Sequence, residues 1–158
     1  MLLVARGVGL ATMAPLVPLA ARAGVAMTAV LSARSPADLM REEFLRGAVA
    51  DVRAVFDADG SSALERVEPL LERLLGDEQP DMVYTCGSNR LLELLQRLLL
   101  RRGGKGEVAL EQQMACAMGV CLSCVRLFND GPDKVFRRVC CEGPVFPLGS
   151  VAGEVQFG

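Results

Sequence analysis

The sequence predicts an α/β fold in which an open parallel sheet is followed by a small cysteine-rich module with a β-hairpin. Short apolar runs alternate with longer amphipathic ones up to about residue 105, which is typical of strands connected through crossover helices. Five of the six cysteines then lie within residues 116–141. We therefore expect two domains, residues 1–105 and 106–158, divided at the polar, glycine-rich break of residues 103–106.

Four apolar runs are the predicted strands of the first domain. They are Leu2–Ala5, Val25–Leu31, Val52–Phe56 and Met82–Cys86. Residues 7–21, between the first two strands, are nearly uncharged, but Pro15 and Pro18 argue against a signal peptide. The same stretch is too short to span a bilayer as a helix. We therefore expect a buried turn and helix here, in a cytoplasmic protein that is not bound to a membrane.

Three amphipathic segments are predicted helices. Ser35 and Pro36 supply an N-cap and a first helical residue for a helix that runs to about Leu45. Apolar residues at helical spacing predict a helix over residues 61–76, which Pro69 should kink or divide. The clearest helix covers residues 90–102, because its leucines form one apolar stripe that faces a core. These leucines are Leu91, Leu94, Leu95, Leu98 and Leu99.

The composition excludes several kinds of functional site. The chain has no histidine, which rules out imidazole general bases, histidine-ligated zinc and Rieske centres. Its net charge of −2 provides no excess of basic residues for a phosphate backbone, so we do not expect nucleic-acid binding. Disulfides are not expected either, because they usually stabilise small domains with poor cores. Any redox or metal chemistry must therefore use thiols, carboxylates or a bound cofactor.

Four cysteines have the spacing of a plant-type ferredoxin, which predicts a [2Fe–2S] cluster. Cys116, Cys121 and Cys124 form a C-x(4)-C-x(2)-C loop, and Cys140 follows sixteen residues later. A predicted hairpin of residues 125–128 and 135–139 would return the fourth thiol to this loop. Small residues within the loop allow backbone N–H groups to point at the sulfur atoms. A structural zinc on the same thiols and a simple group of reduced cysteines remain as alternatives.

These cysteine-bearing segments resemble one family, the electron-transfer subunit of dihydroorotate dehydrogenase B in the ferredoxin-reductase superfamily. The resemblance lies in LEQQMACAMGVCLSCV, residues 110–125, and in RVCCEGPVF, residues 138–146. In the family, a V-C-x-x-G-P-V-F segment carries the fourth ligand, which implies Cys140 and leaves Cys141 at a variable position. The resemblance also implies that the parallel sheet is of the ferredoxin-reductase nucleotide-binding type.

The resemblance continues in three turns that follow predicted strands, and it implies that their residues contact NAD or FAD. The residues are Gly7, Val8 and Gly9 in a glycine-rich turn, Asp57, Asp59 and Gly60 in a D-x-D-G-S turn, and Cys86 and Gly87 in a C-G turn. Ligands of open α/β sheets bind at the carboxyl ends of the strands. Without the resemblance, the better interpretations are a plain strand-to-helix turn for residues 7–9, a solvated turn for Asp57 and Asp59, and buried packing for Cys86. Arg6 and Ser88 depart from the family pattern, which commonly has glycine and proline there.

The resemblance implies an auxiliary electron-transfer subunit of an oxidoreductase complex, with no catalytic side chain of its own. The implied route in pyrimidine biosynthesis runs from dihydroorotate to FMN on a partner dehydrogenase subunit, then to the [2Fe–2S] cluster, FAD and NAD+. We therefore expect a hetero-oligomer with that flavin dehydrogenase. Family members begin with an FAD-binding β-barrel, whereas this sequence begins at the first strand of the nucleotide-binding domain. A separately encoded barrel, a fragment, and a protein without tightly held FAD are all compatible with that difference.

Two other functions remain open from the sequence. One is the small subunit of a related NADH:ferredoxin oxidoreductase or sulfite-reductase-like complex, although some relatives there replace the first cluster cysteine by aspartate. The other is a non-enzymatic interaction module stapled by zinc. Apolar residues near the cysteines either form a contact surface for a partner or, as we favour, the small core of the module. These residues are Met118, Val120, Leu122, Val145 and Phe146.

Overall fold

A computed structural model describes residues 1–39, 44, 45, 47, 49 and 51–152. Its main sheet has six strands in the order β3-β2-β1-β4-β5-β8. The first five are parallel, and β8 pairs antiparallel with β5 at one edge. The strands are β1 Leu2–Arg6, β2 Thr28–Ala33, β3 Asp51–Phe56, β4 Val83–Cys86, β5 Gly106–Ala109 and β8 Val145–Pro147. Strands β6 Val125–Asp130 and β7 Asp133–Arg138 form a separate antiparallel hairpin.

Helices cover both faces of the parallel sheet. They are α1 Gly9–Met13, α2 Leu16–Arg22, α3 Leu64–Asp77, α4 Asn89–Arg102 and α5 Val139–Glu142, with 3₁₀ turns at Pro36–Asp38 and Leu148–Ser150. Alternate residues of β1 enter two separate cores: Leu2 and Val4 pack on the side of α3 and α4, and Leu3 and Ala5 on the side of α1 and α2. This double-sided burial explains why the parallel strands are nearly continuous apolar runs. Within the described residues, no helix has both the length and the apolar character needed to cross a membrane.

Most predicted elements of the first domain are confirmed. Strands β1, β3 and β4 and helix α4 match their predicted bounds to within one residue, whereas β2 begins three residues later than predicted. Ser88 caps α4 by accepting a hydrogen bond from the backbone N–H of Leu91 at 3.4 Å, and Gly103 ends the helix with a left-handed φ of +69°. All five leucines of the predicted stripe are buried.

Two predicted helices differ from expectation. The segment after Ser35 is a 3₁₀ turn at Pro36–Asp38, and the remainder of the helix predicted there includes residues 40–43, which lie outside the described part of the chain. Helix α3 runs without division from Leu64 to Asp77, so of the two predicted effects of Pro69, a kink or a division, the division is wrong. Buried Val67, Leu71, Leu74 and Leu75 hold one face of α3 against the core, and this packing outweighs the hydrogen bond that the proline removes.

Strand β5 was not predicted, because the glycine-rich break that precedes it suggested a linker. Gly106–Ala109 instead pairs in parallel with β4. The main sheet thus continues across the predicted domain boundary at residue 105. One core also joins both sides, since Phe128 and Phe146 pack in the same apolar cluster as Leu2 and Val83. Neither the sheet nor this core is interrupted at residue 105. The division into two domains stays a prediction.

Candidate functional site

The β6–β7 hairpin brings the two ends of the cysteine-rich segment together. Its register pairs Val125 with Arg138, so the residues that flank these two also become neighbours. The backbone N–H of Val139 donates to the carbonyl oxygen of Cys124 at 3.2 Å. The backbone N–H of Cys140 in turn donates to the Sγ atom of Cys124 at 3.5 Å. The predicted return of Cys140 to the cysteine loop is thus present in the structure.

The loop that precedes β6 directs its backbone N–H groups at sulfur atoms. Cys116 Sγ accepts from the backbone N–H groups of Met118 and Cys121, each at 3.4 Å, and Cys121 Sγ accepts from Ser123 at 3.5 Å. This tight course depends on left-handed backbone conformations, with φ of +54° at Ala117, +79° at Gly119 and +60° at Leu122. A chain folded in this way stabilises negative charge on the sulfur atoms.

The cysteines lie in two pairs, each joined by a backbone N–H of one residue that donates to the sulfur of the other, and the pKa values reflect this arrangement. Backbone N–H groups of Cys121 and Met118 lower the pKa of Cys116 to about 6, and the Cys121 thiol also bonds to it. The backbone N–H of Cys140 lowers the pKa of Cys124. The pKa of Cys140 is raised to about 12, chiefly because its thiol bonds to Cys124. All six cysteines are free thiols in the structure.

The four predicted ligands do not surround a single point. Among the residues that the structure describes, no group of three or more Cys, Asp or Glu side chains is gathered tightly enough to hold one metal ion. What the fold brings together is Cys116 with Cys121 and Cys124 with Cys140. Cys86 lies apart from them, at the end of β4, where burial raises the pKa of its thiol to about 11.

The apolar residues around this loop are mostly on the surface. The side chains of Met118, Val120, Leu122 and Val145 are between 51% and 78% exposed, so the favoured interpretation as a small core is wrong for these four. It is correct for Phe146, which is 4% exposed and stacks against Phe128 with ring centroids 4.5 Å apart. The cysteine loop therefore lies in an apolar rim that faces solvent.

The carboxyl edge of the sheet holds the second candidate site, and two of its glycines are required for packing. Strands β1 and β4 are neighbours, and their chains leave in opposite directions along the sheet, which makes a topological switch point. A Cβ atom at Gly9 would overlap the carbonyl oxygen of Cys86, and one at Gly87 would overlap that of Arg6. The turn after β1 and the turn after β4 therefore interlock. Gly7, with φ of +54° and open space around it, has no such restraint.

An ion pair closes one side of this edge. The guanidinium of Arg6 donates to both carboxylate oxygens of Asp57, at 3.1 and 2.6 Å, and to Ser32 Oγ at 2.6 Å. Together with a hydrogen bond from Ser62, Arg6 lowers the pKa of Asp57 to about 2. Asp59 instead accepts the backbone N–H of Ser61 at 2.8 Å within its own turn, and this bonding to Ser61 lowers the pKa of Asp59.

Two cavities open along the same edge. The larger, about 490 Å³, is lined in part by Arg6, Asp57, Gly60, Ser88 and Arg90. The smaller, about 130 Å³, lies between the end of β4 and the β6–β7 hairpin, and is lined in part by Thr85, Cys86, Gly87, Glu111 and Arg126. Of the eight residues predicted to bind a nucleotide, four line these cavities and Gly7 lines a shallower one. Val8, Gly9 and Asp59 line none of the three.

Sequence reasoning missed the polar residues of the smaller cavity. Thr85 is 1% exposed, and its Oγ1 atom has no hydrogen-bond partner within the described residues. Arg126 is 7% exposed and donates from Nη2 to Asn89 Oδ1 at 2.9 Å, which ties the cysteine hairpin to the first residue of α4. The alternating pattern of β6 marks position 126 as inward-facing with Phe128. An arginine in such a position was the available signal.

Comparison with known proteins finds relatives of both the cysteine-bearing segment and the whole chain. Residues 111–152 match the iron–sulfur cluster binding domain of dihydroorotate dehydrogenase B. A probable dihydroorotate dehydrogenase B (NAD(+)) electron transfer subunit from Methanothermobacter thermautotrophicus is 32% identical over 99% of this chain and 56% of its own length. The corresponding subunit of Desulforamulus reducens is 31% identical over 95% of this chain and 57% of its own length. The chain thus spans somewhat more than half the length of these relatives.

Solved structures share the fold. The NADH-dependent reduced ferredoxin-NADP oxidoreductase, described in work on flavin-based electron bifurcation, superposes with a TM-score of 0.76 at 27% identity. That match covers 96% of this chain and 53% of the oxidoreductase chain. The C-terminal domain of the PF1911 hydrogenase from Pyrococcus furiosus has the same fold, with a TM-score of 0.59 at 18% identity over 69% of this chain and 89% of that domain.

The fold and the cysteine-bearing loop define an α/β protein of the ferredoxin-reductase type with an iron–sulfur cluster binding domain. More particularly, its relatives over nearly the whole chain are the electron transfer subunits of dihydroorotate dehydrogenase B. The family resemblance and the fold class expected from the sequence are both confirmed.

Proposed function

We propose that this chain transfers single electrons through a [2Fe–2S] cluster held by Cys116, Cys121, Cys124 and Cys140. The observation that carries the proposal is the arrangement of these cysteines as two pairs, Cys121 N–H to Cys116 Sγ at 3.4 Å and Cys140 N–H to Cys124 Sγ at 3.5 Å, within the iron–sulfur domain. A [2Fe–2S] cluster takes two protein ligands on each iron, so two thiol pairs suit it. A structural zinc needs four ligands around one ion, and the described residues offer no group of three.

The chain itself would tune the cluster rather than perform acid–base chemistry. The bound cluster supplies one-electron redox chemistry. Backbone N–H groups directed at Cys116, Cys121 and Cys124 stabilise thiolate ligands before any metal arrives. Hydrogen bonds of this kind also set the electrostatic potential at the sulfur atoms, on which a reduction potential depends.

We further propose that the smaller cavity receives the ring of a nicotinamide nucleotide. The buried Thr85 hydroxyl without a partner supports this, because such a group needs a ligand or an ordered water. A volume of about 130 Å³ approaches the roughly 150 Å³ of an engineered cavity that binds benzene. Gly87 lines its edge, and Arg126 links the cavity wall to the cysteine hairpin. The larger cavity beside Arg6 and Arg90 would hold the phosphates.

The proposed partner is a flavin-containing dehydrogenase subunit of the dihydroorotate dehydrogenase type, with FAD as a further cofactor of the complex. The relatives' names, as electron transfer subunits of a NAD(+)-dependent enzyme, support this assignment. Met118, Val120 and Leu122 form an exposed apolar rim at the cysteine loop, which is a surface that a partner would cover. A partner bound there would come close to the cluster.

Anaerobic purification of the full chain, followed by visible absorption and by iron, zinc and sulfide analysis, tests the cluster. We expect about two irons and two sulfides per chain, and the loss of visible absorption in Cys121→Ser. Cys86→Ala is the matched control and should keep its colour, since Cys86 lies apart from the paired thiols. A colourless, zinc-loaded protein, or unchanged iron in Cys121→Ser, would refute the ligand assignment.

The partner and the nucleotide are tested separately. Co-expression with a dihydroorotate dehydrogenase catalytic subunit should yield a complex that contains bound flavin. Val120→Asp should weaken that complex and leave the iron content unchanged, because the Val120 side chain is 78% exposed. A complex that forms equally well with Val120→Asp would remove the apolar rim from the proposal. NADH binding is measured by titration, with the fluorescence of the nucleotide itself as the signal. The chain has no tryptophan whose emission would interfere.

A further inference from the structure

Cys141, which the four-ligand assignment does not use, lies beside the proposed ligands. It directly follows Cys140 in the short helix α5, where successive side chains normally point about 100° apart. The two Sγ atoms nevertheless lie only 3.5 Å from each other. Both thiols therefore reach the same region of space.

A second contact places Cys141 against the loop that carries the other ligands. A Cβ atom built at Gly119, between Cys116 and Cys121, would lie 2.8 Å from Cys141 Sγ. The Cys141 sulfur thus packs on the backbone of the cysteine loop, and only glycine leaves space for it. Cys141 is also exposed to solvent, so burial does not confine its side chain.

Two thiolates bound to one tetrahedral metal ion stand about 3.8 Å apart, as metal–sulfur bonds of about 2.3 Å require. The distance of 3.5 Å between Cys140 and Cys141 is close to that value. A thiol at this position therefore needs only a small movement to take over a ligand site from its neighbour.

We propose that Cys141 is an interchangeable thiolate ligand for the iron assigned to Cys124 and Cys140. This inference rests on the proposed cluster. In the exchange, the bond from iron to Cys140 sulfur breaks as a bond to Cys141 sulfur forms. The Cys141 thiol releases its proton, the departing Cys140 thiolate takes one up, and the iron oxidation states do not change. The adjacent pair thus gives the cluster a reserve ligand at its fourth position.

The test compares Cys140→Ala, Cys141→Ala and the double variant in the full chain after anaerobic reconstitution with iron and sulfide. Alanine is chosen because it removes even the weak oxygen ligand that serine would provide. We expect each single variant to retain at least about half of the parent's iron, and the double variant to lose about tenfold or more. The electron paramagnetic resonance spectrum of reduced Cys140→Ala should shift from that of the parent, because a different sulfur then binds the iron.

The outcomes separate this inference from the cluster assignment. If Cys140→Ala loses iron to the level of the double variant, Cys141 is not a ligand and the exchange is refuted, while the cluster stands. If Cys141→Ala alone loses the cluster, the two thiols are not interchangeable, and the inference again fails. If the parent holds no iron–sulfur chromophore, or Cys121→Ser keeps it, the proposed function fails instead. Far-ultraviolet circular dichroism of each variant excludes a general loss of folding.

Discussion

Replacing Gly87 by alanine tests whether the interlocked turns hold the switch point of the sheet together. Gly87 combines two restraints: a φ of +97°, which L-residues avoid, and a Cβ position that would overlap the backbone carbonyl of Arg6. Gly103 and Gly9 each carry only one of them. Gly103 has a φ of +69° with open space around it, whereas Gly9 lacks a positive φ but would overlap the carbonyl of Cys86.

These three glycines allow the two costs to be separated. The left-handed conformation of a non-glycine residue costs about 1–2 kcal/mol, so we expect this loss for Gly103→Ala. Forcing an extra methyl group into packed backbone costs about 1–3 kcal/mol, which is the loss expected for Gly9→Ala. Gly87→Ala should lose the sum, about 2–5 kcal/mol. Alanine also lowers the conformational entropy of the unfolded chain, which stabilises the folded state of each variant by about 0.4–1 kcal/mol. This contribution is common to all three variants and cancels in the comparison.

Anaerobic urea denaturation followed by circular dichroism measures the free energy of unfolding of each variant. The expected order of destabilisation is Gly87→Ala first, with Gly9→Ala and Gly103→Ala clearly below it. If Gly87→Ala is no more destabilised than Gly103→Ala, the turns after β1 and β4 can separate at little cost, and the interlocking argument is wrong. If the slope of the unfolding free energy against urea concentration changed in Gly87→Ala alone, the compactness of its native or denatured state would have changed.

Three further predictions follow from single contacts. Phe128→Ala should destabilise the fold by about 3–5 kcal/mol, because Phe128 is 1% exposed and its ring packs against Phe146. The control Phe136→Ala, at a position 61% exposed, should change the free energy of unfolding by less than about 0.5 kcal/mol. Equal effects of the two variants in urea denaturation would contradict the burial of Phe128. The Asp57 carboxyl should titrate by NMR at about 2, and Arg6→Ala should move its pKa toward the ordinary 3.8. Since the folded pKa is depressed, this carboxylate's contribution to stability is present above pH 3.8 and lost as the pH falls through about 2, and an unshifted titration in Arg6→Ala would remove the ion pair as its cause. Thr85→Val should leave the free protein equally stable or more stable by about 1 kcal/mol, yet weaken NADH binding; unchanged affinity would place the nucleotide elsewhere.

Periodicity and spacing in the sequence predicted much of the fold. The leucine stripe over residues 90–102 predicted α4, because its apolar period matches a helix whichever partner it packs on. The hairpin over residues 125–139 was predicted because its turn residues and β-rich flanks are local signals. Strand β5 was missed for the opposite reason. Four residues after a run of glycines carry no pattern of their own, and they become a strand only through pairing with β4.

The candidate sites divide in the same way. The cysteine spacing alone indicated an iron–sulfur domain, since ligand geometry limits which short loops can present thiols to a cluster. The cavity of Thr85 and Arg126 was invisible, because a buried polar atom becomes significant only when its neighbours are known. The same holds for Gly9 and Gly87, where a motif suggested phosphate contact and the structure adds a packing requirement.

The amino-acid sequence by itself determined most of the helical and extended segments, the absence of histidine chemistry and the thiols available for a cluster. These properties depend on residue type and on short spacings along one chain. Tertiary structure alone decided that the thiols lie in two pairs, that Cys141 joins the second pair, and that the turns after β1 and β4 interlock. The approach of Cys124 and Cys140 depends on hairpin register, and the interlocking of the two turns depends on strand order; a linear pattern specifies neither.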